Sequence, residues 1–390
     1  MLNWGLDPEC PYYNSFKCYL TYGRWSGMLF LSLRRSSRLL RALQVFYHSV
    51  VTTVLALAFF RSLSYFDWPN EALNTVTTTK LLCAAYYLLG VGSHLVTMRA
   101  QVNLTALVHL YQVYGSDDSK MFVGRHQGIR VGSHLLWIAT FVLALANAPS
   151  LLLAQIGVVN MAYVPQLIHG YSWPDVLVLF LMQNAMVYCS GLYVLMTMLF
   201  FSAVHSLCHD LRGNAHGRSQ PIVLFSQRYQ ALYEACQRLN QMYGQYFLLV
   251  YGIFVPSTLV SIYILIKEPH LDLITVFTFV WWWLLFALVV LMATIPAIMI
   301  HEAGEGITNS AFHMYCKADG ALPVEQFQAL ALQLLNNRLA MSASGFFHVS
   351  RSFVLTLFSM VATYFVILLQ FDMGISDEAV PTNGTFGTVP

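Results

Sequence analysis

Seven segments of this chain are long, apolar and free of Lys, Arg, Asp and Glu. They cover residues 43–60, 81–98, 132–158, 176–201, 244–266, 275–300 and 353–371. A helix rises about 1.5 Å per residue, so about 20 such residues cross the roughly 30 Å hydrocarbon core of a bilayer. Only 10% of the 390 residues are charged and 57% are hydrophobic, which no ordinary soluble domain matches. The sequence therefore predicts an all-α membrane protein with seven transmembrane helices.

The distribution of basic residues predicts which side of the membrane each loop occupies. Of the 20 Lys and Arg residues, 17 lie in the N-terminal segment and in loops two, four and six; the other loops and the C-terminal tail hold 3. Short loops rich in Lys and Arg stay in the cytoplasm. We therefore expect a multi-pass protein of the plasma membrane with a cytoplasmic N-terminus and an extracellular C-terminus. This orientation argues against a G-protein-coupled receptor, whose N-terminus lies outside.

Two cytoplasmic loops carry helical patterns of their own. In loop four, apolar residues recur at helical spacing at Tyr229, Leu232, Cys236, Leu239 and Tyr243, which predicts a long cytoplasmic extension of the fifth span. Loop six predicts an apolar helix of about 25 residues after Pro323, interrupted by Asn336, Asn337 and Arg338. Such apolar faces pack either against each other within the chain or against another subunit.

Aromatic and uncharged polar residues cluster in the outer halves and the middle of the spans. A small-molecule site combines apolar rings with a few hydrogen-bonding groups, so these residues are candidates for a ligand pocket. For each of them, helix packing is the alternative. The set comprises Tyr86 and Tyr87 in span two, Asn147 and Ser150 in span three, Gln183, Asn184 and Tyr188 in span four, Tyr251, Phe254 and Ser257 in span five, and Thr278, Trp281, Trp282 and Trp283 in span six.

Other function classes find less support in the sequence. His301-Glu302 lacks the second His of a zinc-protease helix, and no enzyme, metal, cofactor or nucleic-acid motif is recognisable. A secondary transporter of small organic solutes remains an alternative. Coupled transporters usually carry ionisable residues within their spans, and here the candidates are His48, His94 and His134.

The end of the last span has a specific pattern. Thr363-Tyr364 is followed by five apolar residues and then by Gln370-Phe371, which resembles the C-terminal signature of insect gustatory receptors. The segment from Leu239 to Leu249 is similar to the one with which that family enters its fifth span. Length, span number and the predicted orientation also match, so the resemblance covers nearly the whole chain.

The resemblance implies a tetrameric, ligand-gated, non-selective cation channel related to insect odorant receptors. It divides the chain into a cytoplasmic segment (1–42), six helices with a ligand pocket in each subunit and cytoplasmic extensions (43–322), a cytoplasmic anchor helix at the subunit contact (323–352), a pore-lining seventh helix (353–371) and an extracellular tail (372–390). The pocket would face outward and use the aromatic cluster. Its partners would be a tastant, sugar or bitter, permeant cations, membrane lipid and either identical or related subunits.

Pore residues follow from the same resemblance together with helical spacing. Thr363, Ile367 and Gln370 share one face of a helix, flanked by Val366. By resemblance, Gln370 and Phe371 form the gate. Asp372, with Asp377 and Glu378 farther along, would form an acidic ring at the pore mouth, and Asp372 is favoured because it follows the gate directly. A channel of the odorant-receptor branch is the alternative within this class.

Overall fold

Helices account for almost all of the chain that the computed structural model describes, which comprises residues 11–29, 38–64, 66, 75–115, 119–145, 173–214, 222–267, 273–317 and 324–377. In order, the helices of this part are α1 (Pro11–Trp25), α2 (Arg38–Leu63), α3 (Thr75–Gly115), α4 (Ser119–Leu145), α5 (Trp173–Asn214), α6 (Ile222–Lys267), α7 (Leu273–Lys317), α8 (Val324–Asn336) and α9 (Arg351–Asp377).

Six of these helices are long and apolar enough to cross a membrane. Their candidate spans are Ala42–Leu63, Lys80–Ala100, Gly128–Leu145, Pro174–Cys208, Ile222–Tyr263 and Val280–His313, and α9 contributes a shorter apolar stretch, Arg351–Ile367. The chain is thus a multi-pass membrane protein. Residues 146–158, the end of the predicted third span, lie outside the described residues.

Helix α5 forms the centre of the bundle, because 78% of its span is buried, against 22% for α2 and for α4. It packs against α3, α4 and α7, while α3 also packs against α2 and α6. Large side chains such as Tyr193, Phe200 and Tyr246 are fully buried at this centre. The outer helices leave Leu57, Leu135 and similar apolar side chains exposed, as expected for surfaces that contact lipid.

Helix α1 is an element that the sequence analysis did not recognise within the N-terminal segment 1–42. It packs against α4 and α5, and its Phe16, Tyr19 and Leu20 are buried. These residues recur at positions i, i+3 and i+4, the signal of one apolar helix face, although the segment is too polar to be a span. The N-terminal segment therefore contributes a helix to the core of the bundle.

The helical predictions for loops four and six have different outcomes. Helix α6 is continuous from Ile222, which confirms the extension of the fifth span. The prediction of a helix of about 25 residues in loop six was wrong in length, because α8 has 13 residues and ends at Asn336. At this end the backbone carbonyl of Asn337 accepts a hydrogen bond from Tyr229 Oη at 2.7 Å, and its Nδ2 donates to Gln230 Oε1 at 3.3 Å. Contacts with α6 thus take the place of further helical turns.

The linker, residues 337–350, joins α8 to α9 through a tight turn. Ala343 N donates to Phe347 O and Val349 N donates to Met341 O, each at 2.9 Å, around an antiparallel bridge between Ser342 and His348. The turn uses a positive φ of 86° at Gly345, a conformation that glycine adopts without steric cost. Helix α9 then begins at a fixed position on the body of the protein.

Candidate functional site

One group of predicted pocket residues does come together, in what we call the aromatic pocket. Tyr86 of α3 lies nearly parallel to Trp282 of α7, with ring centroids 5.9 Å apart, and 6.2 Å from Phe286. On α6, Thr258 accepts a hydrogen bond from Trp283 Nε1 at 3.3 Å. The complete lining is Leu82, Tyr86, Ser257, Thr258, Ser261, Trp282, Trp283 and Phe286. Three helices thus supply rings and hydroxyl groups to a single site.

The aromatic pocket is nearly closed in this structure. Its volume of about 20 Å³ admits roughly one water molecule, whereas ligand sites usually have several hundred Å³. A ligand of sugar or alkaloid size therefore enters only if the rings of Trp282, Trp283 or Phe286 move. These three rings belong to α7 and face Ser257, Thr258 and Ser261 of α6, so both helices border the space that a ligand would enter.

Two predicted residues on α5 belong to a different environment, the tyrosine cluster of Tyr19, Tyr22, Asn184 and Tyr188. Tyr188 stacks on Tyr19 of α1 with ring centroids 4.7 Å apart, and Tyr22 Oη donates to Asn184 Oδ1 at 2.5 Å. Burial raises the pKa of the Tyr22 hydroxyl above its usual range, so this group stays a neutral donor. Asn184 and Tyr188 therefore attach α1 to the bundle and do not line the aromatic pocket.

The remaining predicted pocket residues divide into three groups. Asn147 and Ser150 lie outside the described residues, as does the side chain of Thr278. Trp281 stacks on Phe277 of its own helix, with ring centroids 6.5 Å apart. Tyr87, Phe254 and Gln183 are buried in the bundle but do not line the aromatic pocket. Neither polar atom of the Gln183 amide has a hydrogen-bond partner among the described residues.

Tyr251 connects α6 to the last helix. Its hydroxyl lies 2.8 Å from Thr294 Oγ1 of α7, and its ring centroid is 5.0 Å from that of Phe353 in α9 and 5.9 Å from that of Phe347 in the linker. Ser257 of the aromatic pocket lies six residues farther along the same helix, about 9 Å away. Helix α6 thus contacts both the aromatic pocket and the start of α9.

Asn240 and Gly244, one helical turn apart on α6, hold the linker in place. Asn240 Nδ2 donates to Ala340 O at 2.9 Å and its Oδ1 accepts from Ser342 N at 2.8 Å. A Cβ atom on Gly244 would lie only 2.9 Å from Ser344 N. Both residues belong to the segment whose similarity to gustatory receptors is noted above, and the structure explains why an amide and a glycine are needed there.

Helix α9 is exposed over most of its surface. Leu355, Phe358 and Val366 are 69%, 63% and 50% exposed, and Leu357 is its one buried side chain among those described. The helix packs mainly against α6, and Arg351 at its start forms an ion pair with Glu302 of α7. Within a single chain, the apolar part of α9 is therefore largely uncovered.

Five uncharged polar side chains of α9 form one line, the polar stripe. Counted at about 100° per residue, its members fall within an arc of roughly 60°. All are exposed: Ser352, Thr356, Ser359, Thr363 and Gln370. Val366 and Ile367 flank the stripe. The predicted face containing Thr363 and Gln370 thus extends along the whole span.

The register of α9 also places the residues around the predicted gate. The side chains of Phe371 and Asp372 lie outside the described part, but the backbone is helical to Asp377 and does not end at Phe371. Phe371 is about 100° from Gln370 around the helix and Asp372 about 200°. Asp377, seven residues after Gln370, returns to within about 20° of the polar stripe. Continuation of the helix therefore puts Asp377, and not Asp372, in line with the stripe.

The arrangement of the helices is similar to that of a solved receptor. The insect olfactory receptor OR5 from Machilis hrabei, in complex with eugenol, has a TM-score of 0.74 at 14% identity, covering 91% of this chain and 97% of that one. Without eugenol, the same receptor gives a TM-score of 0.71 at 13% identity, with the same coverage. At these identities the similarity establishes the fold.

Sequence relatives point in the same direction. Gustatory receptor family protein 3 of Caenorhabditis elegans is 30% identical over 149 residues, 37% of this chain and 33% of the relative. High-energy light unresponsive protein 1, also from Caenorhabditis elegans, is 29% identical over 149 residues, 37% of this chain and 34% of that protein. The chain thus matches about a third of the length of these relatives. A model of the 7tm chemosensory receptor family matches residues 16–375, and the chain belongs to that family.

Proposed function

We propose that this protein is a ligand-gated cation channel in which α9 helices from four subunits surround one pore. The observation that carries the proposal is the polar stripe on a helix that its own chain leaves uncovered. In hydrocarbon, an amide such as Gln370 without a partner costs several kcal/mol. Gln370 is exposed and forms no hydrogen bond within the described residues. A water-filled pore satisfies the stripe, while neighbouring subunits cover the apolar remainder of α9.

The outer face of α8 supports assembly from several subunits. Val324, Leu332 and Leu335 are 54%, 60% and 50% exposed on the side of the membrane predicted to be cytoplasmic. An apolar face of this kind in water is typical of a subunit contact. The inner face of α8, with Phe327, Leu330 and Leu334, is already buried in its own chain. Residues 323–352 are therefore proposed as the anchor between subunits, with α8 as their helical part.

Gating is proposed to begin at the aromatic pocket. A ligand that separates the rings moves α6 against α7, and α6 carries Tyr251, whose ring contacts Phe353 of α9. Rotation of α9 by about 100° then exchanges Phe371 for Gln370 at the pore axis. Four Phe rings form a dewetted constriction in the closed state, and four amides replace them when the pore opens.

The protein is proposed to lie in the plasma membrane and to respond to a small organic molecule outside the cell. Sugars and bitter compounds are the first candidates. Rings beside the hydroxyl groups of Ser257, Thr258 and Ser261 suit both classes.

The functional test is to express the chain alone and record currents during application of a panel of sugars and a panel of bitter compounds. Because one relative's name refers to high-energy light, the recordings include dark and illuminated arms. Robust currents establish a homomeric channel. Solute uptake without current, or silence with and without related subunits, contradicts the proposal.

Trp282→Ala tests the site of ligand binding. The loss of the Trp282 ring is expected to raise the half-maximal ligand concentration about tenfold, since a ligand that stacks on this ring gains about 1.4 kcal/mol from the contact. Trp281→Ala is the matched control, because that ring stacks on Phe277 and does not line the pocket. Concentration–response curves measure both. Equal shifts, or a larger shift for Trp281→Ala, contradict the assignment.

Asp377→Asn tests the register of the acidic ring. Four carboxylates at the pore mouth concentrate cations, so their removal is expected to lower single-channel conductance by roughly twofold at low ionic strength, where the Debye length is roughly 30 Å. Asp372→Asn is the comparison. The sequence singled out Asp372 as the residue after the gate, whereas the helix extends to Asp377. If Asp372→Asn lowers the conductance more than Asp377→Asn does, the helix does not continue in the same register to the pore mouth and the assignment of Asp377 is contradicted.

A further inference from the structure

A groove between α1 and α4 collects positive charge beside aromatic rings. It has a volume of about 540 Å³ and shares no lining residue with the aromatic pocket. Lys17 comes from α1, whereas Arg130 and His134, one helical turn apart, come from α4. We call this site the basic groove; it is lined by Lys17, Cys18, Thr21, Tyr22, Trp25, Arg130, Ser133, His134 and Trp137.

Within the described residues, no acidic side chain neutralises the positive charge of the groove. Neither α1 nor α4 contains an Asp or Glu anywhere along its length. Lys17, Arg130 and His134 are exposed, and no ion pair joins any of them to another described residue. Cations held together without acidic partners repel one another, so an anion that enters the groove relieves this repulsion.

The groove lies at the boundary of the membrane. The candidate span of α4 begins at Gly128, so Arg130 is about 3 Å and His134 about 9 Å inside it. Trp25, at the end of α1, is 80% exposed, and Trp is the residue typical of membrane interfaces. With the orientation expected from the charge distribution, this boundary is the cytoplasmic one, where the leaflet carries anionic lipids.

We propose that the basic groove binds the headgroup of an anionic phospholipid from the cytoplasmic leaflet. Lys17 and Arg130 contact the phosphate region as cations and the His134 ring offers it a further polar contact, while Trp25 and Trp137 lie along the upper acyl chains. A lipid bound in the groove also holds α1 in position, because Tyr22 lines the groove and its hydroxyl group donates a hydrogen bond to Asn184 at the centre of the bundle. The bound lipid thus stabilises the attachment of the N-terminal helix to α5.

The test is native mass spectrometry of the purified full chain with added phosphatidylserine or phosphatidylcholine. The wild type is expected to retain phosphatidylserine in preference to phosphatidylcholine. Lys17→Gln and Arg130→Gln are each expected to weaken phosphatidylserine binding about fivefold, or about 1 kcal/mol for each cation near the lipid surface. Both residues are exposed, so neither change is expected to alter the fold, and thermal unfolding of each variant checks this point.

Arg99→Gln is the matched control. Arg99 is an exposed cation of a different groove, where it donates to Gln245 Oε1 at 2.9 Å. Retained binding in this variant, with loss in the other two, supports a defined site. Equal losses in all three variants overturn the proposal, as does equal retention of the two lipids. A competition arm adds inorganic phosphate to the complex with phosphatidylserine. If phosphate displaces the lipid with an affinity equal to that of the lipid, the site takes a soluble anion and the lipid assignment is overturned.

Discussion

Channels carrying Phe371→Ala are expected to conduct without a ligand. In the proposed closed state, four Phe rings exclude water from the narrowest part of the pore, and four methyl groups are too small to do so. A loss of about 1.4 kcal/mol from the closed state changes the ratio of closed to open channels tenfold. The ligand-independent fraction of the maximal current is therefore expected to rise about tenfold, as measured by whole-cell recording.

Phe358→Ala provides the control on the same helix. Phe358 is 63% exposed, and counting at about 100° per residue places it about 140° from Phe371 and about 120° from Gln370. The same substitution there removes a ring of equal size from a face outside the proposed pore. It is expected to leave the basal current unchanged. A silent closed state in Phe371→Ala, combined with normal ligand-evoked current, would contradict the gate.

The transmembrane spans and helix α1 show what hydrophobic patterning predicts well and what it does not. Long uncharged segments identify the spans, because burial in hydrocarbon excludes charge over about 20 residues. Helix α1 escapes this criterion, since Lys17 lies between the buried rings of Phe16 and Tyr19 and Arg24 lies in its last turn. Its contribution depends on stacking between Tyr19 and Tyr188, residues 169 positions apart, which no local pattern contains.

The candidate pocket was only partly predictable for a similar reason. Composition and depth pointed to aromatic residues, and Tyr86 and Trp282 do meet. However, depth alone does not fix the direction in which a side chain points around its helix. Asn184 and Tyr188 lie on α5, at the centre of the bundle, but their side chains contact α1. The ring of Tyr251 contacts α9. These directions follow from how the helices pack, which a single sequence does not specify.

The linker is the point at which the body of the protein controls α9. Helix α6 holds it through Asn240 and through Tyr251, and α7 approaches it at Gly304, where a Cβ atom would lie 2.9 Å from Leu339 Cβ. Two of the three helices that line the aromatic pocket, α6 and α7, therefore reach the linker that precedes α9. In the proposed gating mechanism, movement of these helices reaches α9 through the linker.

Gly244→Ala is expected to break this connection. The new Cβ would lie 2.9 Å from Ser344 N and 3.2 Å from Ser342 O, both backbone atoms that cannot rotate away. Overpacking of this kind costs about 1–3 kcal/mol. In a helix, alanine is otherwise about 1 kcal/mol more favourable than glycine. The substitution therefore lowers the free energy of unfolding only if the linker is held in place and cannot move away from the new Cβ atom. The two hydrogen bonds from Asn240 hold it there.

Gly252→Ala separates the steric effect from helix propensity. Gly252 lies two turns farther along α6, and a Cβ atom there would meet nothing within 4 Å. This variant is expected to unfold at the same or a higher temperature and to keep its ligand-evoked current. Gly244→Ala is expected to unfold at a lower temperature and to lose most of that current, because a displaced linker changes the angle at which α9 enters the pore. If both variants behave alike in thermal unfolding and in recordings, close packing of α6 against the linker does not position the pore helix.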